Sequence, residues 1–311
     1  MTDAVVSHGH ASIKQGSKSF ALASRIFDDT MRADASMLYA WCRYCDDVVD
    51  GQIMGHGQIF DYRDGQKERL QSLIDQTSAA LGGKPTEDPV FTGLARVFRT
   101  HEIPHRHAFE LLDGFRMDAE ERVYETREEI LDYCYHVAGV VGVMMAHIMG
   151  VRDDATLDRA SDLGLAFQLT NIARDVVDDA RADRIYVPAS LLHDADAPTD
   201  AARLARQENW PAAHEAACSL LDMAETYYAS AYVGIRELPF RCAWAICAAL
   251  KVYREIGQTL RSRGPTAWDE RVSAPGYRKT WLALSAVGPA ISRQSVDETN
   301  RSGLYQRPVT D

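Results

Sequence analysis

The chain has 311 residues, of which 46% are hydrophobic and 25% are charged, and its formal net charge is -11. A chain of this length and composition can build one large continuous core. The acidic balance argues against non-specific binding to nucleic acids or anionic membranes, which favour basic surfaces. We expect no nucleic-acid partner and no obligate protein partner.

The cysteines and the apolar runs indicate a cytoplasmic protein. Six cysteines lie mostly within helix-like apolar patterns, and the Cys42-x-x-Cys45 pair has no second Cys or His pair at zinc spacing. We interpret them as reduced thiols packed in a core. The longest apolar run, 137–151, has about 15 residues, whereas a membrane span needs about 20. It therefore predicts a buried helix, and the polar C-terminus shows no anchor motif.

Apolar residues recur at spacings of three and four along most of the chain, without hairpin dipeptides or strand-helix alternation. This pattern predicts an all-α fold. After a first helix that opens at 16–20, the predicted helices cover 31–50, 64–81, 88–101, 105–118, 127–149, 154–180, 208–234 and 239–262. We predict a flexible N-terminus over 1–15, one helical domain over 16–290 and a C-terminal tail over 291–311. No connection is long enough to separate two domains.

The helix predicted over 31–50 carries a polar face formed by Tyr39, Arg43, Asp46 and Asp50, with Asp47 beside it. A charge run of this kind is ordinarily a solvated surface. These carboxylates, however, stand in the last turn before a glycine, where the helix dipole disfavours negative charge by roughly 0.3–1 kcal/mol each. Fold stability alone would not select them, so we expect a functional role.

A second acidic face lies on the helix predicted over 154–180. Within a sector roughly 80° wide it carries Gln168, Asn171, Asp175 and Asp179. On each face two carboxylates stand four residues apart, about 6 Å along the axis. Two such faces on opposing helices can hold Mg²⁺, or Mn²⁺, because these ions bind a few carboxylates together with substrate phosphates.

Two facing carboxylate clusters in a helical bundle suit the metal-assisted ionisation of a diphosphate ester. Other site classes fit worse. The candidate helices contain no Glu-x-x-His, which a di-iron bundle site uses. The chain contains no Gly-x-Ser-x-Gly of a serine hydrolase.

Three segments, 39–50, 133–142 and 164–188, resemble the squalene/phytoene synthases, and the likeness extends from about residue 17 to residue 271. The resemblance implies a single-domain class I isoprenoid synthase bundle with a central cavity. It also implies the head-to-head condensation of two geranylgeranyl diphosphates to phytoene, as in bacterial members that serve carotenoid synthesis. Metal and diphosphate binding is implied at Asp46, Asp50, Asn171, Asp175 and Asp179, and the adjacent Asp47 joins this metal set.

The remaining matched positions fall into groups by the role that the resemblance implies. Positions that contact diphosphate are Ser17, Ser19, Arg43, Arg174, Arg184 and Arg271. Aromatic positions near the reacting carbons, where a ring face can stabilise a carbocation, are Phe20, Tyr39 and Tyr253. Positions that line the prenyl tunnel are Tyr133, Val137, Val141 and Gln168. Tyr186 belongs to the matched Arg-x-Tyr-x-Pro element that binds substrate.

Two further features concern local structure. Gly139 and Gly142 each cost a helix interior about 1 kcal/mol relative to alanine, so we expect a bend or a close approach beside the prenyl chain. The acidic stretch 118–129 predicts a solvated connection that leads into the next helix.

Phytoene formation ends with the loss of a proton, so we expect no NADPH, whereas squalene formation requires a hydride. Synthesis of dehydrosqualene or squalene from farnesyl diphosphate remains an alternative, because tunnel length is not encoded in any of these motifs. A head-to-tail elongase or terpene cyclase fits the motifs less well. An inert relative that acts as an assembly factor would have lost carboxylates that are retained here.

Because substrate and product are long apolar chains, we expect peripheral contact with the inner face of the membrane, although the sequence shows no obvious docking helix.

Overall fold

The computed structural model describes residues 3–16, 18–51, 63–292 and 300–308. Within them the α-helices are α1 (Ala4–Gly16), α2 (Lys18–Ser24), α3 (Asp29–Asp50), α4 (Gln66–Leu81), α5 (Pro89–Thr100), α6 (Arg106–Ala119), α7 (Arg127–Cys134), α8 (Val140–Ile148), α9 (Asp154–Arg181), α10 (Ala189–Asp194), α11 (Ala201–Leu204), α12 (Trp210–Ile235), α13 (Phe240–Arg263), α14 (Gly276–Ser285) and α15 (Val287–Ser292). Short 3₁₀ turns, Gln207–Asn209 and Gly264–Trp268, precede α12 and follow α13. The described residues contain no strand, which confirms the all-α prediction.

The two helices that carry the acidic faces have well-defined ends. The Asp28 side chain accepts a hydrogen bond from the Met31 N–H at the start of α3, and the helix ends at Gly51 with a left-handed φ of 60°. At the start of α9 the Asp153 side chain accepts from the Thr156 N–H. These ends place both acidic clusters at the C-terminal ends of long helices, as predicted.

The long helix α9 is buried at the centre of the bundle. The apolar stripe opposite its acidic face, Leu165, Leu169, Ile172 and Val176, is almost completely buried. Helix α12 packs along α9 over much of its length, and α8 packs on it from another side. The position of the acidic face therefore follows from the burial of the stripe behind it.

The helix predicted over 127–149 is interrupted. A π-helical turn, Tyr135–Gly139, separates α7 from α8, and such turns are frequent at functional sites. Close backbone packing explains two glycines nearby. A Cβ on Gly142 would lie 2.3 Å from the Ala160 carbonyl oxygen, and one on Gly164 would lie 2.3 Å from that of Ala138. The close approach expected here occurs for Gly142, against the backbone of α9, whereas a Cβ on Gly139 would meet the side chains of Leu165 and Ser161 at 2.7 Å and 2.9 Å. A role beside the prenyl chain stays a prediction.

The run Arg127–Ile148 is the one helical stretch, among the described residues, that is long and apolar enough to cross a membrane by length and composition. Within its most apolar window 61% is buried inside the bundle. The buried core helix of a folded domain has this same appearance.

Both chain ends differ from the sequence expectation. Instead of a flexible segment over 1–15, α1 packs on α3 and α5 and buries Ile13. Within the predicted tail, residues 300–308 are also held: Arg301 and Arg307 donate to Asp158 and its neighbours on the first half of α9, and Arg307 is 4% exposed. Long-range packing of α1 and long-range ion pairs at the C-terminus fix these segments, and neither is visible in local sequence patterns.

Candidate active site

A cavity of about 440 Å³ lies between α3, α9 and α13. Ten of the predicted site residues line it, namely Phe20, Tyr39, Arg43, Asp46, Tyr133, Val137, Val141, Gln168, Asn171 and Tyr253. Much of the remaining lining is apolar and includes Leu38, Leu111, Phe115, Met145, Met149, Ile235 and Leu238. Its volume falls in the range of small-molecule sites, roughly 300–1,000 Å³.

The two acidic helices are joined at one end of this cavity. Arg184, in the loop after α9, lies 3.2 Å from an Asp50 carboxylate oxygen at the end of α3. On the α9 side, Asp175 accepts from Arg174, with Nε at 2.8 Å, and from Arg271 at 3.0 Å. Predicted carboxylates and arginines thus meet across 134 residues of sequence for Asp50 and Arg184, and across 96 residues for Asp175 and Arg271.

Arg43 is paired with the acidic residues of its own helix, Asp46 at 3.0 Å and Asp47 at 2.5 Å. Asp47 is buried and does not line the cavity, whereas Asp46 does. The structure thus separates the two neighbours: Asp46 faces the cavity, and Asp47 fixes the guanidinium beside it.

Burial raises the pKa of two carboxyl groups in this cluster. For Asp46, burial and then repulsion from Asp50, Asp47 and Asp118 raise the pKa to about 7, although Arg43 opposes the shift. The 38% of the Asp46 side chain that is exposed borders the cavity. For Asp179, burial and repulsion from Asp175 raise the pKa to about 8. On both helices, therefore, burial and neighbouring carboxylates disfavour the charged form of a carboxyl group, and a bound cation would favour it.

The donor set fits a divalent cation that arrives with its substrate. Among the described residues no three His, Cys, Asp or Glu side chains converge as a closed metal site. Mg²⁺ is usually held by one or two carboxylates, with waters and substrate phosphates completing its octahedron. Asp46 and Asp50 on α3, and Asn171, Asp175 and Asp179 on α9, offer such partial sets of oxygen ligands from two sides.

Asp118 is a site residue that the sequence interpretation missed. The stretch 118–129 was expected to be a solvated connection, but Asp118 lines the cavity. It accepts hydrogen bonds from Tyr186 at 2.8 Å and from Tyr133 at 3.1 Å. Burial raises its pKa to about 6, against the effect of Arg184 and the two tyrosines. Asp118 lies in the last turn of α6, where the helix dipole disfavours a carboxylate. The same argument identified the carboxylates of α3 and α9.

Arg184 and Tyr186 lie next to this network. Arg184 donates to the Tyr186 hydroxyl at 3.3 Å. Both residues line a second, more polar depression of about 450 Å³, which shares Asp118 with the main cavity. A chain of contacts from Tyr133 through Asp118 and Tyr186 to Arg184 thus ends at Asp50.

Aromatic rings form part of the cavity wall near the acidic end. Phe20 stacks on Tyr39 with ring centroids 5.4 Å apart, and Phe167 stacks on Tyr253 at 4.1 Å. Burial raises the pKa of Tyr39 to about 12, so this phenol stays neutral. The described residues therefore supply neutral ring faces beside a cluster of carboxylates and arginines. Two serines were also predicted to contact diphosphate. All of Ser17 and the side chain of Ser19 lie outside the described part of the chain.

The sequence comparisons agree with this geometry. A profile described as squalene/phytoene synthase matches residues 13–278. The chain belongs to the squalene/phytoene synthase family. The match covers the acidic helices, the π-helical turn and the loop that carries Arg184 and Tyr186.

Individual relatives extend the match to almost the whole chain. The phytoene synthase of Pseudescherichia vulneris is 46% identical over 306 residues, which is 98% of each chain. The 15-cis-phytoene synthase of a Paracoccus species is 47% identical over 309 residues, or 99% of each chain. A dehydrosqualene synthase crystal structure with a bound ligand is similar with a TM-score of 0.81 and 29% identity, covering 91% of this chain and 95% of that one.

Proposed function

We propose that this protein is a 15-cis-phytoene synthase that joins two molecules of geranylgeranyl diphosphate head to head and releases two diphosphates. The observation that carries the proposal is the identity of 46–47% over 98–99% of the chain with relatives of that name. The cavity supports it, because an apolar lining ends in a cluster of carboxylates and arginines suited to a prenyl diphosphate.

The diphosphates bind at the acidic end. Mg²⁺, when bound, neutralises the diphosphate and makes it a better leaving group. Asp46 and Asp50 on α3 would hold the metal from one side, and Asp175, Asp179 and Asn171 on α9 would hold it from the other. Arg184 and Arg271 each contact one of these carboxylates. A guanidinium can also bind two phosphate oxygens at once, so both arginines are candidates to bind the diphosphate.

The allylic cation left by ionisation is protected by the cavity wall. The Phe20–Tyr39 and Phe167–Tyr253 stacks present ring faces that stabilise positive charge. Apolar side chains from α6, α8 and α12 keep out the water that would quench the cation. The double bond of the second substrate then attacks this cation, and loss of a proton closes the cyclopropane ring of prephytoene diphosphate. Loss of its diphosphate, rearrangement and proton loss yield phytoene without NADPH.

A second candidate function is the formation of dehydrosqualene from two farnesyl diphosphates. The similarity to the dehydrosqualene synthase structure favours it, but the identity of 29% is well below that of the phytoene synthases. The two functions share the acidic end and differ in the prenyl chain that the cavity accepts.

Two neighbouring carboxylates provide a sharp test of the acidic site. Asp179 faces the cluster, whereas Asp178 is exposed and pairs with Arg181 at 3.0 Å. We expect Asp179→Asn to lower turnover of geranylgeranyl diphosphate by at least about a hundredfold, because it removes a charged ligand. It should also abolish the rise in Tm caused by Mg²⁺ with inorganic diphosphate. Asp178→Asn is the matched control and should behave as wild type; equal losses in both variants would contradict the assignment.

A further inference from the structure

The end of the cavity opposite the acidic cluster contains a charged side chain. Arg159 lines the cavity there, together with apolar residues that include Met149, Ile235 and Leu238. It belongs to α9 and lies 16 residues before Asp175, so at 1.5 Å per residue the two positions are about 24 Å apart along the helix. An arginine in such surroundings requires hydrogen-bond partners for its guanidinium.

The stem of Arg159 fills the gap between α9 and the end of α12. Gly234 of α12 also lines the cavity, and a Cβ built on it would lie 2.7 Å from the Arg159 Cβ and 3.4 Å from its Cδ. The methylene groups of the arginine therefore occupy the space that a larger residue at 234 would need. The wall that Arg159 and Gly234 form is called the far end of the cavity.

A series of hydrogen bonds fixes the guanidinium of Arg159. Its Nη1 donates to the Ser230 hydroxyl at 3.0 Å and to the Ser230 carbonyl at 3.2 Å. The same hydroxyl donates to Asp162, whose side chain is 1% exposed. Arg301 donates to both carboxylate oxygens of Asp162, at 2.8 Å and 2.9 Å. These contacts form a continuous path, called the anchoring network, through Arg159, Ser230, Asp162 and Arg301.

The segment that carries Arg301, residues 300–308, is itself attached to the bundle. Arg301 donates to the Tyr305 carbonyl at 2.9 Å. The Tyr305 N–H donates to the Tyr227 hydroxyl at 3.1 Å, and the Tyr305 hydroxyl donates to Asp132 at 2.9 Å. Through these contacts the C-terminal segment holds the outer end of the anchoring network in a fixed position.

The distance from the acidic cluster to Arg159 matches a prenyl chain of four isoprene units. An extended unit spans about 4–5 Å along four carbon–carbon bonds, so a C20 chain is about 16–20 Å long. The diphosphate takes up the rest of the distance to Asp175. A C25 chain would overrun the far end by about one unit, or 4–5 Å, whereas a C15 chain would leave a gap there.

We propose that Arg159 limits the length of the prenyl chain that the cavity accepts, and that the C-terminal segment positions it through Asp162 and Ser230. This rests on the proposed function and names a determinant of its substrate class. Arg159 determines specificity because its stem closes the far end of the cavity. Ser230, Asp162 and Arg301 are positioning residues, because they act on the prenyl chain only through Arg159.

The test compares geranylgeranyl diphosphate with geranylfarnesyl diphosphate, its C25 homologue, in purified full-length variants. Arg159→Ala should raise the ratio of kcat/KM for C25 over C20 by at least about tenfold, because a wall that excludes extra carbons discriminates by about this factor or more. Arg159→Gln is shorter and still polar, and it should raise the ratio by a smaller factor. Arg159→Lys keeps a long stem with a donor and should retain the wild-type ratio. Wild-type ratios in both the alanine and the glutamine variants overturn the proposal.

The positioning role has its own measurement. Ser230→Ala and Arg301→Gln should each raise the same ratio by about threefold to tenfold, the effect of one lost hydrogen bond. The change should appear in KM for the C25 substrate, with kcat for the C20 substrate unchanged. Ser219→Ala is the matched control on α12, since that hydroxyl donates to the Glu215 carbonyl at 3.4 Å, and it should leave the ratio unchanged. Wild-type ratios in both network variants overturn the positioning role.

Binding measured without turnover separates this proposal from the proposed function. Unreactive C20 and C25 thiolodiphosphates are added with Mg²⁺, and the rise in Tm is recorded. The C20 analogue should raise the Tm of the wild type more than the C25 analogue does, and Arg159→Ala should remove this preference. An equal preference in both proteins overturns the proposal. Absence of phytoene synthesis, together with the expected loss of preference, would refute the proposed function and leave Arg159 as the limit on chain length.

Discussion

The backbone contact between α8 and α9 makes Gly142→Ala an informative perturbation. The added Cβ would lie 2.3 Å from the Ala160 carbonyl oxygen and 3.1 Å from its carbon. Ordinary contacts of this kind are about 3.4 Å or longer. Because the obstacle is backbone within a buried helix, no side-chain rotation relieves it, and the two helices must separate by about 1 Å.

Two opposing contributions set the size of the effect. Alanine favours a helix interior over glycine by about 1 kcal/mol, whereas overpacking of a tight core costs about 1–3 kcal/mol. A Cβ more than 1 Å inside contact distance belongs at the upper end of that cost, so we expect a net loss of about 1–2 kcal/mol. For a chain of this size the loss lowers Tm by about 2–4 °C. Turnover should also fall, because Gly142 and Ala160 both line the cavity.

Thermal unfolding followed by circular dichroism measures the stability change directly. Gly276→Ala is the matched control, since a Cβ there meets nothing within 4 Å. It should leave Tm unchanged or raise it slightly. An unchanged or higher Tm for Gly142→Ala, with normal turnover, would refute the explanation of this glycine by helix contact.

Three other predictions follow from the ionic contacts. Asp118→Asn should lower turnover about tenfold to a hundredfold with little change in Tm, because it uncouples Tyr133 and Tyr186 from a charged acceptor; normal kinetics would exclude that role. Without metal, the folded-state pKa values of Asp46 and Asp179 are about 7 and about 8, against an ordinary 3.8. The folded protein therefore holds protons that the unfolded chain has lost, and Tm should fall from about pH 5 to about pH 8; Asp179→Asn should flatten this fall, and a steady rise would contradict it. Arg307→Ala should lower the free energy of unfolding by about 1–3 kcal/mol by releasing the C-terminal segment, whereas removing an exposed arginine such as Arg206 should not.

Much of the candidate site could be predicted because its signals are local. Helical periodicity located most of the long helices to within about two residues. The carboxylates of α3 and α9 could be recognised because each cluster lies within two turns of one helix, near a C-terminal end where the helix dipole disfavours negative charge. Both clusters were expected to face each other; the contact between Arg184 and Asp50 joins the end of α3 to the loop after α9, and the shared metal site stays a prediction.

The rest depends on contacts between distant parts of the chain. Asp118 is identified by its hydrogen bond to Tyr186, 68 residues away, and its own segment has the composition of a solvated loop. The attachment of the C-terminus to Asp158 spans 149 residues. The π-helical turn Tyr135–Gly139 lies between α7 and α8, and helical periodicity alone does not reveal it. Local patterns therefore predict helices and faces, whereas the pairing of faces requires the folded chain.

The identity of the product tests the proposed function most directly. Purified protein with Mg²⁺ is incubated separately with geranylgeranyl diphosphate and farnesyl diphosphate, each with and without NADPH, and the extracts are analysed by absorbance and mass spectrometry. We expect a C40 hydrocarbon with the conjugated triene of phytoene from the C20 substrate, in equal yield without NADPH. A C30 product formed preferentially from farnesyl diphosphate, or a reduced product that requires NADPH, would contradict it.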